Sequence, residues 1–524
     1  MIIIKPKQIA DKYNLHNIVS KILYKRGFDQ KWKLEQFLDP KLSNLTHPSS
    51  LPNIKKISNK IKQYSEFGDK IYAFTDYDQD GTSSAIILDY LLDKLNANYE
   101  IMISDRFRDG YGLSNKAIDL MSDAELILTA DCGISNHEEI EYANSKNIDV
   151  IVLDHHEQDN PPNCDYIDLK VDKGNYSFNQ LSGAALTWQV VRYILDEDLY
   201  NLLDITALSV IGDLVPLLGD NRIIAKYGLE KITNTKNVGL QSLKNELGIS
   251  DKEITVGDVG FKLVPCVNAW QRLYGNNQMS FELLTTNDEN KAKRLAKKLH
   301  EANEERKQMQ KEGFESIIDS VNSDDNFIIG KGDFGKGVVG LIAQDLKEKF
   351  DKPSIVFGGN GDILKGSARS VTPLNMYEEL CKYDNLLENY GGHFKAAGMS
   401  IHKENYDKFK KEILESTKDI DYETVHYDMK LDTNQINIPL IEELEVLQPC
   451  GMGNPSPKFF IKGVPTNIKT VGKTDDHYKF KLNGIDCIAF NMADESLSNE
   501  FIGSLDINEW NMQRSPQIII RKIL

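Results

Sequence analysis

The residues best suited to chemistry are Asp154-His155-His156, which close the apolar run Val150-Ile151-Val152-Leu153. A lone histidine usually serves in a core or on a surface. Two adjacent imidazoles after a buried strand are hard to explain as packing. Neighbouring side chains at a strand end project to different sides, so each ring can face a different cation. Further acidic points strengthen the pattern. Ile71-Tyr72-Ala73-Phe74 reads as a strand and runs into Thr75-Asp76-Tyr77-Asp78-Gln79-Asp80-Gly81. Leu126-Ile127-Leu128-Thr129-Ala130 ends in Asp131-Cys132-Gly133, and Ile211-Gly212-Asp213 supplies another carboxylate. Mixed carboxylate and imidazole donors suit Mn²⁺, Zn²⁺ or Fe.

An open parallel α/β sheet would bring these points together, because its ligands sit beyond the carboxyl ends of the strands. Residues 71–215 alternate apolar strands with helical stretches, as such a sheet requires. Strands are expected at 71–74, 99–104, 126–130, 150–153 and 166–171. The run Gly81-Thr82-Ser83-Ser84-Ala85 opens a helix whose free N–H groups point back toward the first acidic turn. Leu181-Ser182-Gly183-Ala184-Ala185 opens another, with small residues that allow close packing.

The length of 524 residues allows two to four domains with ample core. No apolar run reaches membrane-spanning length, and Met1-Ile2-Ile3-Ile4-Lys5-Pro6 is too short for a secretory leader. The six cysteines (132, 164, 266, 381, 450 and 487) are scattered and form no CxxC, which points to reduced thiols in a cytoplasmic protein. The net charge of −17 argues mildly against a nucleic-acid partner. It is a weak guide where the site itself is acidic and the binding groove is local.

DYDQDG at 76–81, Asp131, Asp154-His155-His156 and Asp213, in that order, resemble the DHH phosphoesterase superfamily. Gly391-Gly392-His393 is similar to the signature of its DHHA1 companion domain. Within the superfamily, the chain most resembles the exonucleases specific for single-stranded DNA, from about residue 20 onward. The fold implied is a parallel-sheet α/β DHH domain with a helical lead-in (1–285), a connecting helix (286–320), a smaller α/β DHHA1 domain (321–420) and an OB-like β-barrel (421–524). The barrel ends the run of motifs, so the further C-terminal domain of some relatives is not expected.

By motif match, Asp76, Asp78, Asp131, His155, His156 and Asp213 are the implied catalytic metal ligands, with Asp80 and Asp154 behind them. The implied cofactors are two divalent ions, Mn²⁺ in preference to Mg²⁺. Arg106, Arg272, Ser367, Arg369, Gly391, Gly392 and His393 are the expected substrate contacts. A surface ion pair competes with phosphate contact for Arg106 and Arg108. Cys266 departs from the usual Arg of its motif, and Gly335 stands where many members carry His, with Lys336 as the available substitute.

Residues 1–70 are expected to cap the sheet as helices. Residues 286–320, rich in lysine and poor in large apolar side chains, read as a solvated strut or a lysine wall beside the substrate. Strands are expected near 326–330 and 354–357, then at 478–482, 485–490 and 517–523. Phe459, Phe460, Tyr478, Phe480 and Trp510 are available for stacking on bases, though at least half must be core.

The function implied is 5′-to-3′ hydrolysis of single-stranded DNA to nucleoside monophosphates in repair and recombination. A single-strand-binding protein or a helicase stays open as a protein partner. The alternatives are a phosphoesterase for short oligonucleotides or cyclic dinucleotides, and a non-catalytic scaffold in a replication assembly. The barrel argues against the first, and the intact acidic and histidine set against the second.

Overall fold

Five apolar strands, β1 (Lys70–Thr75), β2 (Asn98–Ile103), β3 (Leu126–Ala130), β4 (Asp149–Leu153) and β5 (Asp165–Ile167), form a parallel sheet in the order β2-β1-β3-β4-β5. This is seen in a computed structural model that describes residues 3–335, 337–422, 426–510 and 513–524. Lys336 and the side chain of Trp510 lie outside the described residues. Alternate residues of each strand enter different cores. Ile71, Ala73, Leu128 and Ile151 pack on one face, while Tyr72, Phe74, Ile127 and Val150 pack on the other. Helices therefore cover both faces, which is why residues 150–153 of β4 read as an unbroken apolar run. The last strand is shorter than expected. The Asp168 carboxylate accepts the N–H groups of Lys170 and Val171, and that turn ends the strand at Ile167.

A second sheet joins β6 (Ile328–Gly332), β7 (Ser354–Gly358), β8 (Ile363–Arg369), β9 (Leu387–His393) and β10 (Ala396–His402) in the order β6-β7-β8-β10-β9. Only β6 and β7 were expected. Gly366 lies within β8 and Gly391-Gly392 within β9, where glycine weakens strand propensity and hides the pattern. A third sheet has seven strands: β11 (Met429–Lys430), β12 (Phe459–Lys462), β13 (Pro465–Val471), β14 (His477–Leu482), β15 (Ile485–Ala489), β16 (Glu500–Trp510) and β17 (Gln513–Ile523). The long β16–β17 hairpin organises it.

Two expectations need correction. The helices Pro6–Tyr13, Asn17–Lys25 and Lys31–Leu38 do not cap the parallel sheet. Their Ile9, Ile22, Leu34 and Phe37 share a core with Phe459, Phe480 and Ile518 of the third sheet. Of the α-helices before β1, Ile54–Phe67 joins the parallel sheet's core, with Leu51 just ahead of it. Amphipathic spacing shows that a helix has an apolar face, but not which distant surface that face meets. The helix Glu289–Ile318 is not a solvated strut. It buries Ala292, Leu295, Ala296, Leu299 and Ala302, and all but the last belong to the main core, where small alanines allow close approach. Its outward Lys293 and Lys297 pair with Glu289 and Glu301 on the same helix.

Candidate metal and phosphate site

The acidic points converge. Asp76 follows β1, Asp131 follows β3, and Asp154-His155-His156 follows β4, all at carboxyl ends of neighbouring strands. Asp78 caps the helix Gln79–Lys94, its Oδ1 accepting the N–H groups of Asp80 and Gly81. Asp213 arrives differently, at the end of the helix Leu203–Gly212. Three overlapping sets of donors have atoms within 4.8 Å of one another: Asp131, His155 and His156; Asp80, His155 and Asp213; Asp76, Asp78 and Asp131.

Glycines let these parts close up. A Cβ on Gly81 would stand 2.2 Å from the Asp76 carbonyl oxygen, and one on Gly183 would stand 2.6 Å from Asp131 Oδ1. Asp131 itself has φ 62, a left-handed conformation that costs of the order of 1–3 kcal/mol in a non-glycine residue.

His155 carries the clearest sign of what the cluster holds. Its Nδ1 lies 3.0 Å from the Leu181 carbonyl oxygen, so the ring proton sits on Nδ1 and Nε2 presents a lone pair. Nε2 is buried and has no hydrogen-bond partner, yet it lies 3.1 Å from Asp131 Oδ1 and 3.8 Å from both Asp80 Oδ2 and Asp213 Oδ2. Burial and the neighbouring His156 push its pKa down to about 3, so the ring is neutral. A buried imidazole lone pair facing three aspartate side chains is a place for a cation. The carboxylates agree: Asp76, Asp131 and Asp213 are raised well above the usual range, first by burial and then by neighbouring aspartates. The donor set therefore fits divalent ions.

Asp80 is no turn residue. It is buried, and its carboxylate accepts the N–H groups of Gly183 and Ala184 and the Ser209 hydroxyl, tying two helices to the site. Asp154 accepts the Ile134 N–H and lies 2.7 Å from His156 Nδ1. Burial works against a charge on His156, but Asp154 outweighs it and raises the pKa to about 9.

The acidic wall faces a cleft of about 790 Å³ whose other side is basic. Arg106, Arg272, Arg369 and Lys365 line it with Ser367. The guanidinium groups donate to neutral acceptors: Arg106 to Gln271 Oε1, Arg272 to the Gly337 carbonyl, and Arg369 to Ser367 Oγ and the Ala368 carbonyl. Burial, then the charges of Arg106 and Arg306, lower Arg272 to about 9, and burial with Arg106 lowers Arg369. Such a cluster of like charges calls for an anion. The helix Val339–Phe350 points its first turn into the cleft, and a Cβ on Gly340 would stand 2.8 Å from Arg369 Nη2. Arg108 also lines the cleft, but its guanidinium pairs with Asp109.

Gly391, Gly392 and His393 lie on β9 at the edge of the second sheet and do not line this cleft. A Cβ on Gly392 would stand 2.4 Å from the Ala396 carbonyl, so that glycine serves close packing against β10. Sequence reasoning missed Lys365, Tyr111, Asn268 and Asn389, which do line it. Lys365, Ser367 and Arg369 alternate along β8, so period-two spacing from the motif would have found the lysine. Tyr111, whose hydroxyl lies 2.8 Å from His156 Nδ1, stands five residues after Arg106. In the third sheet Phe459 and Phe480 are core. Tyr427 pairs with Phe460 at 5.4 Å beside Lys430 and Lys462 and keeps an exposed edge.

Two sheets of this topology meeting over an acid and histidine cluster define a DHH-type phosphoesterase. Family models match in the same order: the DHH family N-terminal domain at residues 70–211, the DHHA1 domain at 324–419 and the RecJ OB domain at 427–522. The chain belongs to the RecJ family. It is 31% identical over 543 residues to the single-stranded-DNA-specific exonuclease RecJ of Bacillus subtilis, covering 99% of this chain and 69% of that one. Its similarity to the Haemophilus influenzae protein of the same name is 27% identity, over 92% of each chain. The crystal structure of RecJ in complex with Mn²⁺ from Thermus thermophilus superposes with a TM-score of 0.87 at 25% identity, covering 99% of this chain and 77% of that one.

Proposed function

We propose that this chain is a divalent-metal-dependent exonuclease that hydrolyses single-stranded DNA from the 5′ end and releases nucleoside monophosphates, in the cytoplasm and in the service of repair and recombination. The observation that carries this reading is the buried, unpartnered His155 Nε2 among Asp80, Asp131 and Asp213, set across a cleft from Arg272 and Arg369. Asp76, Asp78, Asp131, His155, His156 and Asp213 would hold two ions, Mn²⁺ preferred because imidazole joins the carboxylates. When bound, such ions neutralise the phosphodiester oxygens and lower the pKa of water.

The chain's own side chains do the rest. Asp154 fixes the His156 ring, and the Leu181 carbonyl fixes the His155 tautomer. Asp80 anchors the helix Gly183–Leu195 behind Asp131. Arg272, Arg369, Ser367 and the helix start at Gly340 orient the phosphate, and Arg106 follows the strand. Beside the third sheet, Tyr427, backed by the buried Phe460, offers a stacking surface. The protein partner this calls for is one that supplies unwound DNA, a single-strand-binding protein or a helicase.

Digestion of 5′-end-labelled single-stranded DNA tests the reading, with Mn²⁺, with Mg²⁺ and with chelator, beside duplex DNA and a dinucleotide. Release of labelled mononucleotide from long single strands is expected, fastest with Mn²⁺ and abolished by chelator. Faster turnover of the dinucleotide than of any strand would replace this reading with a small-substrate phosphoesterase.

A further inference from the structure

Asp213 differs from the other candidate ligands, since no strand of the parallel sheet ends at it. The backbone immediately beyond it is strained. Leu214 has φ 57, and its side chain is 63% exposed, so its own packing does not hold that backbone. A β- or γ-branched residue keeps a left-handed conformation only where its surroundings over-determine it. The surroundings here come from the far end of the chain. The Leu217 N–H donates to the Met452 carbonyl at 2.8 Å. Gly451 and Gly453 press so closely that added Cβ atoms would stand 2.7 Å from Leu217 Cδ1 and 2.8 Å from Pro216 Cβ.

Arg222 locks this contact. It lies in the first turn of the helix Gly219–Thr233 and is 2% exposed. Among the described residues its guanidinium meets no carboxylate. It donates instead to five carbonyl oxygens: those of Phe37 at 3.0 Å, Val446 at 3.1 Å, Leu447 at 3.2 Å, Gln448 at 2.6 Å and Pro449 at 3.2 Å. The charge also lies 3.8 Å from the centroid of the Phe37 ring. A buried cation satisfied only by carbonyls is costly unless all of them stay in place, so the contact forms as a whole or not at all.

We propose that Arg222 is a positioning residue that clamps the 446–453 loop onto residues 214–218 and thereby holds Asp213 in its place beside His155 and Asp80. The inference rests on the metal-site reading of Asp213. The third sheet is then part of the metal centre's scaffold, whatever it does for DNA.

Mn²⁺ binding to the full-length protein without DNA tests this, with free Mn²⁺ counted by electron paramagnetic resonance and folding checked by circular dichroism. Asp213→Asn is expected to weaken one bound Mn²⁺. Arg222→Gln is expected to weaken that same ion by roughly ten- to a hundredfold, as loss of a ligand-orienting partner does, and to spare the other. Arg222→Lys, which keeps the charge and part of the carbonyl set, is expected to fall between. The double variant should bind no worse than Asp213→Asn alone, because both changes act on one ligand. A folded Arg222→Gln protein with wild-type Mn²⁺ binding, or with both ions weakened alike, overturns the inference. Should Arg222→Gln fail to fold, Gly453→Ala, which pushes on Pro216 from the other side, is read by the same criteria. Unchanged Mn²⁺ binding in Asp213→Asn removes that residue from the metal centre and the inference with it. Failure of the inference alone looks different: Asp213→Asn weakens one ion while Arg222→Gln leaves that ion intact.

Discussion

The two walls of the cleft are built on different plans. The acidic wall belongs to one domain, and strand ends, helix caps and glycine contacts hold its groups from several sides. The basic wall is shared: Arg106 and Arg272 come from the first domain, while Lys365 and Arg369 lie on β8 of the second. Each wall is crowded with like charge, and burial pushes its groups toward neutrality. The difference separates two tasks. Reacting groups need fixed geometry within about half an ångström, which one rigid sheet provides. Substrate grip can tolerate a wall that depends on how two domains sit.

The acidic wall should be the harder one to lose. Asp131→Asn tolerates the left-handed backbone and keeps the side chain's shape, so folding should survive. Activity on single-stranded DNA with Mn²⁺ should fall by more than about a hundredfold, beyond the loss of an outer partner. Activity near wild type in a protein with normal circular dichroism removes Asp131 from the reaction. The basic wall should yield a smaller loss. Arg369→Ala removes a charge-assisted contact to phosphate and should cost roughly 1.5–3 kcal/mol. The loss should appear in KM for 5′-phosphorylated strands and be smaller for strands with a 5′-hydroxyl. An equal loss on both makes Arg369 a structural residue of β8.

The same contrast explains how much of the molecule is legible in the sequence. The metal residues are legible because strand ends carry short local patterns: an apolar run, then Asp or His-His. Asp80 is half legible, since an Asp-Gly pair gives no sign of the two helices it anchors. The basic wall is legible only where a motif names it. Lys365 shares a face with Ser367 and Arg369, but Gly366 between them hides the strand. The path of the first helices is not legible. Their apolar faces meet a sheet some four hundred residues away, and Arg222, whose five carbonyl partners come from distant segments, carries no local mark of its role.

The third sheet should give a smaller effect still. Tyr427→Ala removes the exposed half of the Tyr427–Phe460 pair without opening the core. Each stacked base is worth about 1–3 kcal/mol, and a long strand has other contacts to share the load. Affinity for a long single strand should therefore fall several-fold, with dinucleotide cleavage unchanged and the salt dependence preserved, since no phosphate contact is lost. Unaltered affinity across a salt series places the strand elsewhere on the molecule.

The smallest effect calibrates the acidic wall from outside. Burial would raise Asp258 as it raises Asp131, but its neighbours are of opposite sign. Lys252 at 2.6 Å, Lys262 at 2.9 Å and the Thr255 hydroxyl at 2.9 Å outweigh burial and hold its pKa well below the usual carboxylate range. The two lysines are each 46% exposed, so solvent screens part of the attraction and the net contribution is roughly 1 kcal/mol. The sign comes from linkage. A carboxyl whose pKa is lower in the folded chain stabilises it fully above the unfolded value of about 3.9 and loses that contribution as pH falls toward the folded value. Asp258→Asn should therefore lower the stability measured by urea unfolding at pH 7, and the gap to wild type should shrink when both are measured below about pH 4. A gap that stays constant with pH assigns the loss to the capping hydrogen bonds rather than to charge. In that case, for the carboxylates of the cleft as well, burial and geometry rather than the sign of the neighbouring charges would set their cost.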